Sequence, residues 1–148
     1  MHVERTFTVP RPVDAVFDYL SDFTSTNDWD PGTVETRRTA GDGGLGTTYR
    51  NISEFMGRRT ELQYETVAHE RPTTVQFRGR NKQATTRDTL TFAPSASGSG
   101  TTVHYRADFD FGTLGNLVAP ILLRRKLEKL ADEVQAEMER VIPEKVDA

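Results

Sequence analysis

Between Thr33 and Phe111 the chain repeats one pattern: a short stretch of alternating apolar and polar residues, closed by a cluster of turn formers. Alternation with a period of two places successive side chains on opposite faces of a strand. The turn clusters fall at Gly41–Gly46, Phe55–Arg58, His69–Pro72, Gly79–Gln83 and Pro94–Gly100. Connections this short join antiparallel neighbours, so the segment reads as a meander of about six strands, or about seven with the N-terminal one. After Gly112 the period changes. Leu114, Leu117, Val118, Ile121, Leu123, Leu127, Leu130, Val134, Met138 and Val141 recur mostly every three or four positions, which predicts one long amphipathic helix. Pro120 falls inside that run; because proline removes a backbone hydrogen bond and crowds the preceding turn, the helix either kinks there or begins there.

The N-terminal strand is predicted over residues 2–9, with Val3, Phe7 and Val9 on one face and Arg5 breaking the pattern. Pro10 and Pro12 end it, and Pro12 suits the first turn of a helix striped by Val13, Val16, Phe17 and Leu20. A second short helix or turn covers Ser21 to Asp28 and stops at Trp29-Asp30-Pro31-Gly32. The whole is expected to be one α+β domain over residues 1–148, a curved antiparallel sheet around a long C-terminal helix, with two short helices after the first strand.

Composition removes several function classes. With no cysteine there is no disulfide framework, thiolate metal site or cysteine nucleophile. The formal net charge is −3, and the basic clusters at Arg37-Arg38, Arg58-Arg59, Arg78 to Lys82 and Arg124 to Lys126 are dispersed, which argues against a nucleic-acid partner. No apolar run approaches the roughly 20 residues that span a bilayer, and the first residues show no basic-then-apolar leader. A cytoplasmic protein starting at Met1, without integral membrane association, is expected.

Gly41-Asp42-Gly43-Gly44-Leu45-Gly46 carries the letters of a dinucleotide fingerprint, but that motif needs a helix directly afterwards, and Thr47 to Ile52 is strand-like; a hairpin turn is the better reading. His2, His69 and His104 have no chelating spacing, so no metal and no cofactor are expected, and His69 reads as a turn residue. Parity assigns an inward face to Leu62 and Tyr64, Val75 and Phe77, Leu90 and Phe92, and to Val103, Tyr105, Ala107, Phe109 and Phe111; Arg87, His104 and Arg106 then face outward. For residues 47–54 neither parity prevails, since Tyr49 aligns with Asn51 and Ser53 but Ile52 with Arg50 and Glu54. Asp88 lies two before Leu90, so its carboxylate either turns into the apolar interior with a raised pKa or sits at a strand end in solvent. Alternate turns of a meander share an end, which groups the tips at 55–58 and 79–83 with the links at 29–33 and 112–115 into one mouth. Phe55 and Met56, two large apolar residues at a tip there, could lid it, and Trp29 stands beside it in partly wet surroundings.

The order of elements, together with Phe7-Thr8-Val9-Pro10-Arg11-Pro12-Val13-Asp14-Ala15-Val16-Phe17, Leu20-Ser21-Asp22-Phe23, Gly44-Leu45-Gly46, Gly100-Thr101-Thr102-Val103 and the run Leu114 to Pro120, resembles the helix-grip fold of the START-like, or SRPBCC, superfamily. The nearest likeness is to its polyketide cyclase/dehydrase and lipid-transport group. That resemblance implies a cavity between sheet and C-terminal helix for a small hydrophobic molecule, lipid-, polyketide- or isoprenoid-like. The alternatives it leaves are a cyclase/dehydrase-type enzyme using the same cavity, with Asp88 as its acid or base, and a stress or regulatory protein acting through a protein partner. The residues expected against the ligand are Trp29, Phe55 and Met56 at the mouth, Tyr64, Phe77, Asp88 and Leu90 on the central strands, Tyr105 and Phe109 on the last strand, and Leu117 and Ile121 on the helix. A monomer or a homodimer fits equally.

Overall fold

The structure, a computed structural model, describes residues 1–112 and 120–148. Strand β1 (His2–Val9) leads into α1 (Val13–Leu20), a 3-10 turn (Phe23–Ser25) and α2 (Thr26–Trp29). Six strands follow: β2 (Thr33–Ala40), β3 (Thr48–Phe55), β4 (Arg58–Glu70), β5 (Thr74–Arg80), β6 (Thr85–Pro94) and β7 (Thr101–Asp110). Helix α3 spans Pro120–Lys145. The strands form one antiparallel sheet in the order β1-β7-β6-β5-β4-β3-β2, so the two short helices carry the chain from one edge of the sheet to the other and the meander brings it back. Register shifts between Thr33 and Glu35, Arg38 and Ala40, and Thr66 and Ala68 put irregularities into β2 and β4, the device by which a sheet bends around a core.

The core is the space between the concave face and α3. Leu123, Leu127, Ala131, Val134, Met138 and Val141 of α3 are buried, at the three- and four-residue spacing of a single helix face. Arg5, out of place in the β1 pattern, is explained by the same helix: its guanidinium donates to the Glu128 carboxylate at 2.8 Å and to Asp132 at 2.9 Å. The outward assignments hold too, with His104 beside Glu4 at 3.3 Å, Arg106 bonded to Asp108 at 3.0 Å and Arg87 donating to Gln76 at 2.9 Å.

Two expectations are decided or corrected. In β3 the parity of Tyr49 and Asn51 faces inward, because Asn51 donates its amide to Thr36 Oγ1 at 2.8 Å, and that hydroxyl in turn meets Thr26 Oγ1 at 2.6 Å; a buried polar network anchors α2 to the sheet and outweighs the aliphatic pull of Ile52. His69 belongs to β4, paired with Val75, not to the turn, and its ring stands edge-on to Phe17 at 5.2 Å. Helix α3 is described from Pro120 onward, and the choice between a kink and a start at that proline falls on residues outside the described ones.

Candidate functional site

Cross-strand register builds the inner face in rows. One row runs Tyr49, Tyr64, Gly79, Thr86, Phe109, and the next Thr66, Phe77, Asp88, Ala107, Val3. A third places Val75, Leu90 and Tyr105 side by side. Gly79 and Ala107 contribute almost no bulk next to Thr86 and Asp88, and the Tyr64 ring lies over Gly79. Accessibility follows: Leu62, Tyr64, Thr86, Asp88 and Tyr105 each keep 8% of their surface accessible, whereas Val75, Leu90 and Val103, farther along the same strands, keep 0–1%. The opening therefore lies toward the tips at Met56-Gly57 and 81–84. The Glu54 N–H donating to the Gly32 carbonyl at 2.8 Å brings the link after α2 to that same end.

The polar groups at this end are hydrogen-bonded in separate pairs. Thr86 Oγ1 donates to the Tyr64 hydroxyl at 3.1 Å, and the Tyr105 hydroxyl faces Asp88 Oδ1 at 3.4 Å. The Trp29 ring stands edge-on to Tyr105 at 6.1 Å, with its Nε1–H donating to Ser25 Oγ at 3.0 Å. Asp30 follows, accepting from the Gly32 N–H at 2.9 Å and the Thr33 hydroxyl at 2.9 Å. Burial pushes the Asp88 carboxyl up to about 7, helped by the negative charge of Asp30 and only partly opposed by the Tyr105 hydroxyl. Asp30 is raised as well, again by burial, against the pull of its two donors. Burial first and the Asp88 charge second raise the Tyr64 and Tyr105 hydroxyls, which stay protonated as donors. A carboxyl that changes charge near neutrality beside two neutral phenols can hold a polar ligand group or exchange a proton with it.

Of the residues expected at the ligand, Tyr64, Asp88 and Tyr105 converge at the opening, with Phe109 half-buried in the row beside them. Phe77 and Leu90 face inward but are sealed in the core. Trp29 is 3% exposed, not partly wet, because α2 packs it inward against Tyr105. Phe55 is half-buried against the core, while Met56 is exposed: with φ of +54° it takes the first central place of a two-residue hairpin with Gly57, which turns its side chain away. Ile121 is 72% exposed; the buried stripe of α3 starts at Leu123, about 200° further round the helix, so Ile121 does not line the inner face. Leu117 lies outside the described residues.

Sequence reasoning misses Thr86, although it shares the parity of Asp88 and Leu90, and Gly79, whose role depends on register. Asp30 reads in the sequence only as part of a helix stop. Outside the sheet, an open groove of about 290 Å³ lies between α2 and α3, lined by Asp28 to Pro31 with Glu133, Ala136 and Glu137. Among the described residues no group of three or more acids and histidines is placed to hold a metal ion. Treatment with a chelator is expected to leave the melting temperature unchanged, and a marked drop would reveal a bound metal.

The fold is shared with solved structures of low sequence identity. A protein of Thermus thermophilus superposes with a TM-score of 0.79 at 17% identity over 95% of each chain. The Zhui aromatase/cyclase of a Streptomyces species does so with 0.71 at 19% identity, over 96% of this chain and 95% of its own. A START superfamily protein of Mycobacterium smegmatis gives 0.72 at 14% identity, over 98% and 96%. No curated protein matches the sequence. The family model described as polyketide cyclase / dehydrase and lipid transport matches residues 1–139, and the chain belongs to that family.

Proposed function

We propose that the protein binds and carries, in the cytoplasm, a small hydrophobic molecule held between the concave face of the sheet and α3, entering at the end that carries the tips at Met56-Gly57 and 81–84. The observation that supports this most is the group of polar side chains Tyr64, Thr86, Asp88 and Tyr105, each 8% accessible, on an inner face whose Phe77, Leu90 and Val103 are sealed. A protein of this size gains nothing for stability from a buried carboxyl held at about 7, so the group is better understood as serving a ligand. Apolar contact supplies affinity at roughly 25 cal/mol per Å² buried. Tyr64, Tyr105 and Asp88 orient the polar end.

A second reading, an enzyme of the cyclase/dehydrase kind, is favoured by the same carboxyl. Near neutrality Asp88 can both give and take a proton, with Tyr105 as its hydrogen-bonded neighbour. Native mass spectrometry of the purified protein should show a co-purified small molecule. Titration with an apolar probe should change Trp29 emission saturably, through the contact of its ring with Tyr105. A featureless, linear response to every apolar probe would count against the binding reading. Loss of turnover in Asp88→Asn with probe binding intact would favour the enzyme.

A further inference from the structure

The large apolar side chains left exposed are gathered at one end of the molecule. Met1 precedes β1, Val34 lies at the start of β2, Met56 caps the β3–β4 hairpin, and Ile121 and Leu122 lie in the first turn of α3. Register and one hydrogen bond bring these segments to the same end. Thr33 pairs with Ser53 and Phe55 with Arg58, while Arg124 donates to the His2 carbonyl at 2.6 Å, which sets the start of α3 beside the start of β1. Among the described residues Leu45 is the one large apolar residue exposed at the opposite end.

Unpaired cations share the apolar end. Arg58, Arg80, Lys82, Arg125 and Lys126 are exposed and make no ion pair among the described residues, and the segment 113–119 holds no acid that could pair with them. The exposed acids nearby are engaged: Glu54 by Arg59 at 2.8 Å and Glu61 by Arg50, which leaves Asp110, accepting from the Gly112 N–H at 2.9 Å. At the opposite end the sign reverses. Arg11 is held there by the Pro143 and Val146 carbonyls at 2.7 Å, and the exposed groups without an ion pair are the acids Asp14, Asp42, Glu70 and Asp147. A chain with a formal net charge of −3 therefore presents one positive end, and a negatively charged surface would attract that end and repel the other.

The two kinds of side chain are also layered. On α3, Ile121 and Leu122 stand four residues before Arg125 and Lys126, so each cation lies on the same side of the helix one turn, about 5.4 Å, behind an apolar residue. In the hairpin Met56 is at the tip and Arg58 and Arg59 follow behind it. Apolar points in front of a cationic layer match the order of a bilayer surface, where phosphates lie outside the hydrocarbon and long basic side chains reach back to them. A folded protein partner would instead call for a continuous, packed apolar patch.

We infer that this end of the protein docks peripherally on an anionic lipid bilayer, with Met56, Ile121 and Leu122 entering the headgroup layer and the cations behind them against its phosphates. The surface is separate from the inner face of the sheet, so failure of the docking leaves the carrier reading standing. Sedimentation with vesicles tests it, using phosphatidylcholine alone or phosphatidylcholine mixed with an equal part of phosphatidylglycerol. The wild-type protein should partition onto the mixed vesicles at least about tenfold more strongly, and salt raised to about 1 M should remove most of that gain. Arg125→Gln with Lys126→Gln should weaken partitioning by about tenfold or more, at roughly fivefold per cation. Ile121→Ser with Leu122→Ser should weaken it by about tenfold. Leu45→Ser, at the other end, should change it by less than about twofold. Equal partitioning onto both vesicles, or none onto either, overturns the inference. Partitioning that ignores both paired variants, or that Leu45→Ser abolishes, overturns the docking face, and loss through the cations alone overturns the entry of the helix tip. The substituted side chains are all exposed, so the variants leave the core as it is, and the comparison of vesicles uses the wild-type chain.

Discussion

Asp88→Asn should raise the melting temperature of the empty protein at about pH 8 and leave it nearly unchanged at about pH 4. The carboxyl titrates at an ordinary 3.8 in the unfolded chain but near 7 in the fold, so the native state holds the proton more tightly. Below 3.8 both states are protonated and the residue has no effect on stability. As pH rises toward 7 the unfolded chain releases the proton first, and stability falls until the native carboxyl also ionises. Each step of one in pKa corresponds to about 1.4 kcal/mol, so the full cost is on the order of 4 kcal/mol. For a domain of this size that is on the order of 10 °C. Asparagine keeps the shape and can still accept from Tyr105, so the gap between variant and wild type should open between pH 4 and 7 and then stay constant. Melting curves that remain parallel across that range would show that Asp88 is not buried as described.

Gly79→Val is expected to be the most damaging change near the site that removes no polar side chain. A Cβ at position 79 would lie 2.5 Å from both Cε1 and Cζ of Tyr64 and 2.8 Å from Thr86 Oγ1, closer than side-chain carbons approach. The Tyr64 ring lies across β5 because glycine leaves it that path, and any side chain forces it off the sheet and breaks its bond to Thr86. Overpacking of this kind costs about 1–3 kcal/mol, and valine adds two methyl groups to the same clash. The displaced phenol would fill the space beside Asp88, so probe binding should be lost along with stability. A double-mutant cycle isolates the cause: the cost of Gly79→Ala should shrink by more than about 1 kcal/mol when Tyr64 is also alanine. Additive costs would mean that the two residues do not share the space.

Much of the fold was legible because it depends on periodicity and punctuation. The alternation of Val103, Tyr105 and Ala107 against His104 and Arg106 sets which side of β7 is buried, whatever the strand pairs with. The turn clusters at Gly41–Gly46 and Pro94–Gly100 end strands by local conformational preference alone. Where apolar content was balanced, as between Tyr49 and Ile52, local pattern had no preference to express. The choice fell to hydrogen bonds between Asn51, Thr36 and Thr26, which are 10 to 15 residues apart.

The candidate site divides along the same line. Sequence by itself determined the strands and their turns, the inward parity of Tyr64 and Tyr105, and the long helix after them, since each follows from side-chain spacing within one segment. Only the tertiary structure decided that the Tyr64 ring lies over Gly79, that Asp30 arrives from the link after α2 to raise Asp88, and that Ile121 and Met56 turn away. Those facts depend on cross-strand register, on the path of the backbone between elements and on the rotation of a helix about its axis, and each is set by how separate segments pack together.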